Sequence, residues 1–128
     1  FAVSVLICAP ASEAGITFGL QQVLDGALTG AWRVLAADLD GDTDLDVVAL
    51  GLWADRVTWY ENRLDEPSAD FAPARTLTLQ LNDPADAVAG DLDGDTDIDL
   101  VISGADSDNI LWFEKSTATA TLMSWSPL

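Results

Sequence analysis

Two short segments of this sequence place an aspartate at every second position. The first, residues 38–46, reads Asp-Leu-Asp-Gly-Asp-Thr-Asp-Leu-Asp, and the second, residues 91–99, matches it at eight of nine positions. Five carboxylates held so close together repel one another unless a cation lies among them. Oxygen donors on a flexible loop, with no nitrogen or sulfur donor nearby, favour Ca²⁺ over zinc, copper or nickel, and the strict octahedral geometry of magnesium suits the loop less well. Each segment is therefore predicted to bind one calcium ion.

The spacing predicts which groups hold each ion. An EF-hand calcium loop uses side chains at positions 1, 3 and 5, a backbone carbonyl at position 7 and an acid at position 12. Position 12 is Ala49 in the first segment and Ile102 in the second, so neither loop can close in that way. We therefore expect the acid at position 9 to close the loop. The predicted side-chain ligands are Asp38, Asp40, Asp42 and Asp46 for one ion and Asp91, Asp93, Asp95 and Asp99 for the other, with carbonyl ligands from Asp44 and Asp97. The alternative, two solvated acidic turns, is disfavoured by the duplication of the whole spacing.

The composition excludes several classes of function. The net charge of −17 would repel phosphate, which excludes a nucleic-acid or anionic-membrane binder and favours cationic partners. The sequence contains no histidine, so the commonest general base and every serine-histidine or cysteine-histidine arrangement are absent. No Gly-rich phosphate loop or nucleophile elbow is present. The chain is therefore predicted not to be an enzyme.

The acidic segments belong to a longer duplicated unit with a period of 53 residues. The same offset aligns apolar and aromatic residues outside the loops, including Phe18 with Phe71, Trp59 with Trp112, and Tyr60 with Phe113. We predict a first repeat over residues 15–70 and a second over residues 71–128, whose tail diverges from about residue 116. Residues 1–14 are interpreted either as the remnant of a signal peptide, because an apolar run precedes Ala-Pro-Ala, or as a leftover β-strand.

Short apolar and alternating runs predict the elements that position these loops. The expected strands are Val34–Ala37, Leu45–Leu50, Arg56–Glu61 and Arg75–Leu81, with a weaker one at Gln21–Leu24. No segment with helical periodicity and convincing caps is found, so the predicted fold class is all-β. A period near 50 is typical of β-propeller blades, and propellers close with about four to eight blades. We therefore expect about two four-stranded blades, part of a larger propeller.

The tryptophans allow two interpretations. Trp59 and Trp112 stand at the same repeat position in a strand, where packing between blades is favoured over the stacking of a carbohydrate ligand. Trp32, Trp53 and Trp125 have no aromatic counterpart at the repeat offset and are candidates for surface contacts.

The loop pattern, with an apolar strand after it, resembles the FG-GAP and VCBS-type repeats that are also found in the propeller of integrin α subunits. Phe18-Gly19-Leu20-Gln21-Gln22-Val23 before the first loop and Trp59-Tyr60-Glu61-Asn62 after it look like the bacterial secreted versions. This resemblance covers about residues 18–115. It implies a seven-bladed propeller, structural calcium in the loops between the first two strands of a blade, and a role in adhesion, in ligand binding or as an accessory to secreted enzymes. The sequence departs from the family pattern at Thr43 and Thr96, where the family often has glycine, and we expect this to strain the loop or weaken its affinity without removing a ligand.

The favoured function is an extracellular, secreted or cell-surface calcium-binding module that recognises a protein or carbohydrate and packs against further blades of its parent chain. No membrane insertion is expected. Two alternatives are considered: a non-catalytic propeller segment of a secreted hydrolase or lyase, and an interaction protein of the dockerin or EF-hand kind. The missing acid at position 12 and the absence of flanking helices disfavour the last one.

Overall fold

The computed structural model describes residues 19–67, 70–78, 81–106, 108–115 and 126–127. Within these ranges the regular secondary structure consists of β-strands and includes no helix, which confirms the predicted all-β class. The proposed signal remnant at residues 1–14 and most of the divergent tail lie outside the described residues.

The described residues form ten strands. They are β1 (Ala31–Ala37), β2 (Asp46–Gly51), β3 (Arg56–Tyr60), β4 (Asn62–Arg63), β5 (Asp70–Phe71), β6 (Arg75–Thr78), β7 (Pro84–Gly90), β8 (Asp99–Gly104), β9 (Asn109–Glu114) and β10 (Ser126–Pro127). The strands β2 and β8 are rich in Val, Leu and Ile and are largely buried, as expected for the central strands of a sheet.

The described residues include two four-stranded antiparallel sheets, as expected for two propeller blades. Their strand orders are β1-β2-β3-β6 and β10-β9-β8-β7, and β4 and β5 form a separate two-stranded ribbon. The register repeats with the sequence: Val34 pairs with Ala49 in the first sheet, and Ala87 pairs with Ile102 in the second. Both pairs are displaced by the same 53 residues, so the two sheets are built on one plan.

The backbone carries independent support for the duplication. Eight described residues have positive φ, and they form four pairs separated by the repeat period: Gly30 with Asp83, Gly41 with Gly94, Thr43 with Thr96, and Asp55 with Asp108. A positive φ is uncommon for any residue other than glycine. Its recurrence at equivalent positions therefore indicates that both units follow the same chain path.

The strand predicted at residues 21–24 is wrong, and β6 lies in a different sheet from the one that its place in the sequence repeat suggests. Residues 21–24 form no strand, and Leu20 and Val23 are exposed. The position beside β3 is taken instead by β6, which comes from the start of the second sequence repeat. Residues 21–24 belong to none of the sheets among the described residues. The sheet boundary therefore lies after β6, whereas the sequence repeats divide between residues 70 and 71.

The hydrophobic core runs continuously from one sheet to the other. Its buried members are Leu39, Val48, Leu50, Val57, Trp59, Leu81, Ala87, Leu100, Ile102 and Phe113. The expected packing role is confirmed for Trp59, which is buried, while Trp112 is half-buried. Trp32 and Trp53 are exposed and remain candidates for surface contacts, and Trp125 lies outside the described residues.

The two sheets also meet along their first strands. The strands β1 and β7, each at one edge of its sheet, lie next to each other. An ion pair joins them there, with Arg33 Nε 2.9 Å from Asp86 Oδ1. These two residues occupy the same position in successive repeats, so a basic and an acidic residue face each other at the contact between sheets.

Candidate metal centre

Each acidic segment forms the connection between the first two strands of its sheet. Residues 38–45 join β1 to β2, and residues 91–98 join β7 to β8. Because β1 pairs with β2 and β7 pairs with β8, each loop starts and ends on neighbouring strands and must turn back sharply. This turn places alternate side chains on the inside of the loop.

Three carboxylates converge in each loop. One oxygen from each of Asp38, Asp40 and Asp42 lies within 4.8 Å of the other two, and Asp91, Asp93 and Asp95 form the same group in the second loop. These are the residues predicted at positions 1, 3 and 5. Three carboxylate oxygens this close together are a donor set that a hard cation such as calcium can use.

Hydrogen bonds within the loop fix this arrangement. Both carboxylate oxygens of Asp38 accept backbone N–H groups, from Gly41 at 2.7 Å and Thr43 at 3.0 Å. Asp42 Oδ1 accepts the N–H of Asp44 at 2.8 Å. The second loop repeats these bonds, with Asp91 accepting from Gly94 at 2.7 Å and from Thr96 at 3.1 Å. The position-1 aspartate therefore shapes the loop as well as contributing to the cluster.

Two residues of each loop adopt backbone angles that favour glycine. In the first loop φ is 87° at Gly41 and 83° at Thr43, and in the second it is 85° at Gly94 and 78° at Thr96. Glycine adopts this region without strain, whereas a β-branched side chain does not. The expectation that threonine strains the loop at this position is therefore consistent with the observed backbone.

The aspartates at position 9 have a different environment. Asp46 and Asp99 are fully buried, and each carboxylate bridges two parts of the chain. Asp46 accepts the N–H of Leu39 at 3.1 Å with Oδ2 and the N–H of Asn62 at 2.8 Å with Oδ1. Asp99 accepts the N–H groups of Leu92 and Lys115 in the same way. These carboxylates fasten the loop to the residue that follows the third strand of the sheet.

Asp46 and Asp99 are not part of the converging groups, so their assignment as metal ligands stays a prediction, as do the carbonyl ligands of Asp44 and Asp97. A carboxylate oxygen can accept more than one interaction, and a backbone hydrogen bond does not use up its capacity. The chemistry of position 9 is therefore compatible with a ligand role in addition to its structural one.

The pKa shifts in the loops have the signs expected of crowded carboxylates. Desolvation, with the nearby charges of Asp46 and Asp42, raises the pKa of Asp40 to about 6. Burial likewise raises the pKa of Asp46, although the N–H groups of Asn62 and Leu39 oppose the shift. In the second loop the N–H of Asp95 lowers the pKa of Asp93, but desolvation and the charges of Asp95 and Asp99 outweigh it, so that the net shift is upward. These groups are held where a positive charge would stabilise their ionised forms.

Sequence reasoning did not single out three further residues at the loops. Asn62 Nδ2 donates to the carbonyl of Leu45 at 3.0 Å, which supports the end of the first loop. Lys115, its counterpart at the repeat offset, places Nζ 3.2 Å from Asp97 Oδ1. A hydrogen bond with the Asp65 carboxyl group is the main cause that raises the pKa of Asp44. The alignment of Asn62 with Lys115 at the repeat offset was the only feature of the sequence that could have drawn attention to these residues, because the spacing of the motif does not reveal side-chain contacts made from outside it.

The donor set fits calcium. All the convergent atoms are carboxylate oxygens, which suit a hard cation, and the part of the chain that the structure describes brings no sulfur or imidazole donor to the loops. Calcium would offset the repulsion among the three converging carboxylates of each loop.

Comparisons with known proteins agree with the repeat. The sequence profile of a family described as an FG-GAP-like repeat matches residues 38–102, which include both acidic loops and the first sheet's strands β2, β3 and β6. Searches of the curated proteins and of the solved structures found no match. Among the described residues, none forms a helix that is long and apolar enough to cross a membrane.

Proposed function

The chain belongs to the FG-GAP-like repeat family, and on that basis we propose that it is an extracellular calcium-binding module whose two acidic loops each hold one structural Ca²⁺. The propeller-type repeat is the scaffold, and the ions stiffen it. The module serves recognition of a protein or carbohydrate and carries out no catalysis.

The observation that carries the metal proposal is the paired geometry of the loops. Three carboxylates converge within 4.8 Å in each loop, and the hydrogen bonds that hold them recur 53 residues later. Backbone N–H groups hold the position-1 carboxylate in this arrangement, and a bound cation would offset the repulsion that remains among the three like charges. The repeated convergence supports a bound cation as the reason for the arrangement.

Calcium in these loops would act on the fold through the neighbouring strands. The loop at residues 38–45 follows β1 and precedes β2, and the Asp46 carboxylate connects it to the backbone N–H of Asn62 beyond β3. A divalent ion that neutralises the carboxylates therefore fixes the relative positions of three strands. Because the ion binds only the folded state, its binding free energy adds to the stability of the sheet.

Calorimetric titration of calcium into metal-free protein tests this proposal. We expect two ions bound per chain in the intact protein and one in a variant that lacks either cluster, Asp38→Ala with Asp40→Ala or Asp91→Ala with Asp93→Ala. The matched control is Asp25→Ala with Asp70→Ala, which removes the same number of aspartates outside the loops. A stoichiometry of zero, measured on protein whose circular dichroism shows it to be folded, would contradict the proposal.

The recognition role is supported by two exposed tryptophans of the first repeat. Trp32 and Trp53 are 68% and 75% exposed, although tryptophan is highly buried on average, and neither has an aromatic counterpart in the second repeat. Tryptophan faces are well suited to stack on sugar rings or on side chains of a protein partner. The role is tested on arrays of glycans and of extracellular proteins, where any ligand bound by the intact chain should be lost in Trp32→Ala or Trp53→Ala. A ligand that still binds both variants as tightly as the intact chain would exclude these two tryptophans as its binding site.

A further inference from the structure

Lys115 is the only lysine in the sequence, and it stands at a position where the first repeat has an uncharged residue. It follows β9 directly and corresponds to Asn62, which lies two residues after the end of β3. The backbone roles of the two residues are the same, because each donates its N–H to the buried position-9 aspartate of its own loop. The side chains differ by a full positive charge.

The ammonium group of Lys115 lies between the two acidic loops. Its Nζ is 3.2 Å from Asp97 Oδ1 in the second loop. On the other side it approaches the first loop, where a Cβ atom built on Gly41 would lie 3.7 Å from the same Nζ. The Lys115 side chain is only 12% exposed and that of Asp97 only 16%, so water screens this pair much less than it screens the ion pairs on the surface.

The first loop has the opposite environment at the equivalent place. Asn62 is neutral and uses its amide to bind the carbonyl of Leu45. Asp44, the counterpart of Asp97, interacts with the carboxyl group of Asp65 where Asp97 has an ammonium group. The ammonium group is paired directly with the second loop, whereas the first loop has a second carboxyl group at the equivalent place. The two loops, almost identical in sequence, therefore differ in local charge.

We propose that Lys115 makes the second loop the weaker of the two calcium sites and at the same time holds the two loops together when no metal is bound. This proposal rests on the calcium-binding function proposed above. A fixed ammonium beside the loop repels an incoming divalent cation, while in its absence the same charge offsets the repulsion among the aspartates. Because a unit positive charge close to a partly buried site repels the incoming ion, we expect calcium affinity at the second loop to be weakened by about tenfold.

The decisive variant is Lys115→Met, which keeps the aliphatic stem and removes the charge, with Lys115→Arg as the charge-conserving control. We expect Lys115→Met to tighten calcium binding at the second loop by about tenfold, measured by calorimetry in a background where Asp38→Ala and Asp40→Ala disable the first loop. In EDTA the same substitution should lower the midpoint of thermal unfolding. Lys115→Arg should leave both quantities close to those of the intact chain.

These opposite effects distinguish the proposal from a packing role, because loss of packing alone would lower the unfolding midpoint without strengthening calcium binding. The mirror substitution Asn62→Lys should weaken calcium binding at the first loop more than Asn62→Met, which loses the same hydrogen bond to Leu45 without adding a charge, and this pair tests the same reasoning if Lys115→Met does not fold. Equal affinities of the two loops in the intact chain, or Lys115→Met binding that is unchanged, would overturn the proposal while leaving calcium binding intact. A chain that binds no calcium at all would instead refute the proposed function.

Discussion

The buried carboxylate of Asp46 yields the most specific prediction about stability. Asp46→Ala removes the acceptor of two backbone N–H groups, those of Leu39 and Asn62, at a site with 0% exposure. A buried donor left without a partner costs about 1–3 kcal/mol. Two such donors give a loss of about 2–6 kcal/mol, and the lower half of this range is expected because the substitution also relieves the repulsion of Asp46 with Asp40.

The prediction concerns the metal-free protein, so the assay is urea unfolding in EDTA, followed by tryptophan fluorescence and circular dichroism. Asp46→Ala should lower the free energy of unfolding by about 2–4 kcal/mol, and Asp46→Asn, which keeps one acceptor oxygen, by roughly half as much. The control is Asp42→Ala, an exposed residue of the same loop whose carboxylate accepts one N–H group, from Asp44. That substitution should cost less than about 1 kcal/mol in EDTA.

An equal stability of Asp46→Ala and Asp42→Ala in EDTA would refute the reasoning, because it would mean that the buried carboxylate does not fasten the loop to the end of β3. Asp99→Ala supplies an independent repetition, since Asp99 makes the corresponding bonds to Leu92 and Lys115.

Three further predictions follow from single contacts. Thr43, at φ 83°, is strained, so Thr43→Gly should stabilise the protein by about 1 kcal/mol in chemical unfolding. The control Thr76→Gly in β6 should destabilise it by about the same amount. A loss of stability in both variants would contradict the strain at Thr43. A double-mutant cycle on Arg33 and Asp86, whose side chains are each 54% exposed, should give a coupling energy below about 1 kcal/mol. A larger coupling energy would mean that this ion pair stabilises the contact between the sheets more than its exposure implies. In EDTA the midpoint of thermal unfolding should rise as the pH falls from 7 towards 5. The reason is that the pKa of Asp40 is raised to about 6 in the folded state, from an ordinary value of 3.8, so the folded state binds a proton more tightly than the unfolded chain. Asp40→Asn should weaken this rise, and a pH profile unchanged by the substitution would count against the raised pKa.

The loops were the most predictable part of the molecule, because local spacing and duplication carry their geometry. Side chains at positions 1, 3 and 5 of a tight loop converge for reasons that lie within the loop itself, and the structure brings together Asp38, Asp40 and Asp42 as expected. The central strands were equally accessible from sequence, since an unbroken apolar run such as Val47–Leu50 is typical of a buried strand.

Features that depend on neighbouring elements were not predictable. The sequence period does not say which sheet receives β6, because the pairing of β6 with β3 joins parts of the chain that a local pattern cannot connect. Burial behaves similarly: Leu39 is 0% exposed and its counterpart Leu92 is 55% exposed, although both are leucines at the same repeat position. The surroundings of each copy, and not its own residues, decide this difference.

The position of Lys115 between the two loops also depends on neighbouring elements and could not be predicted from the sequence. An alignment places Lys115 beside Asn62 but cannot show that its ammonium group lies against Gly41 of the other repeat. Asp46 and Asp99 were assigned from the sequence to the metal alone, and their role as acceptors for backbone N–H groups emerged only when the third strand was placed next to the loop.

The thermal unfolding midpoint of the intact chain in millimolar calcium and in EDTA tests the central claim most directly. Two structural ions, each at about 100 times its dissociation constant, would together add about 5 kcal/mol to the free energy of unfolding. We predict a marked upward shift in calcium, reduced when either three-aspartate cluster is removed and abolished when both are. An unfolding midpoint that is the same in calcium and in EDTA, for protein that is folded in both, would show that the loops are acidic turns and not metal sites.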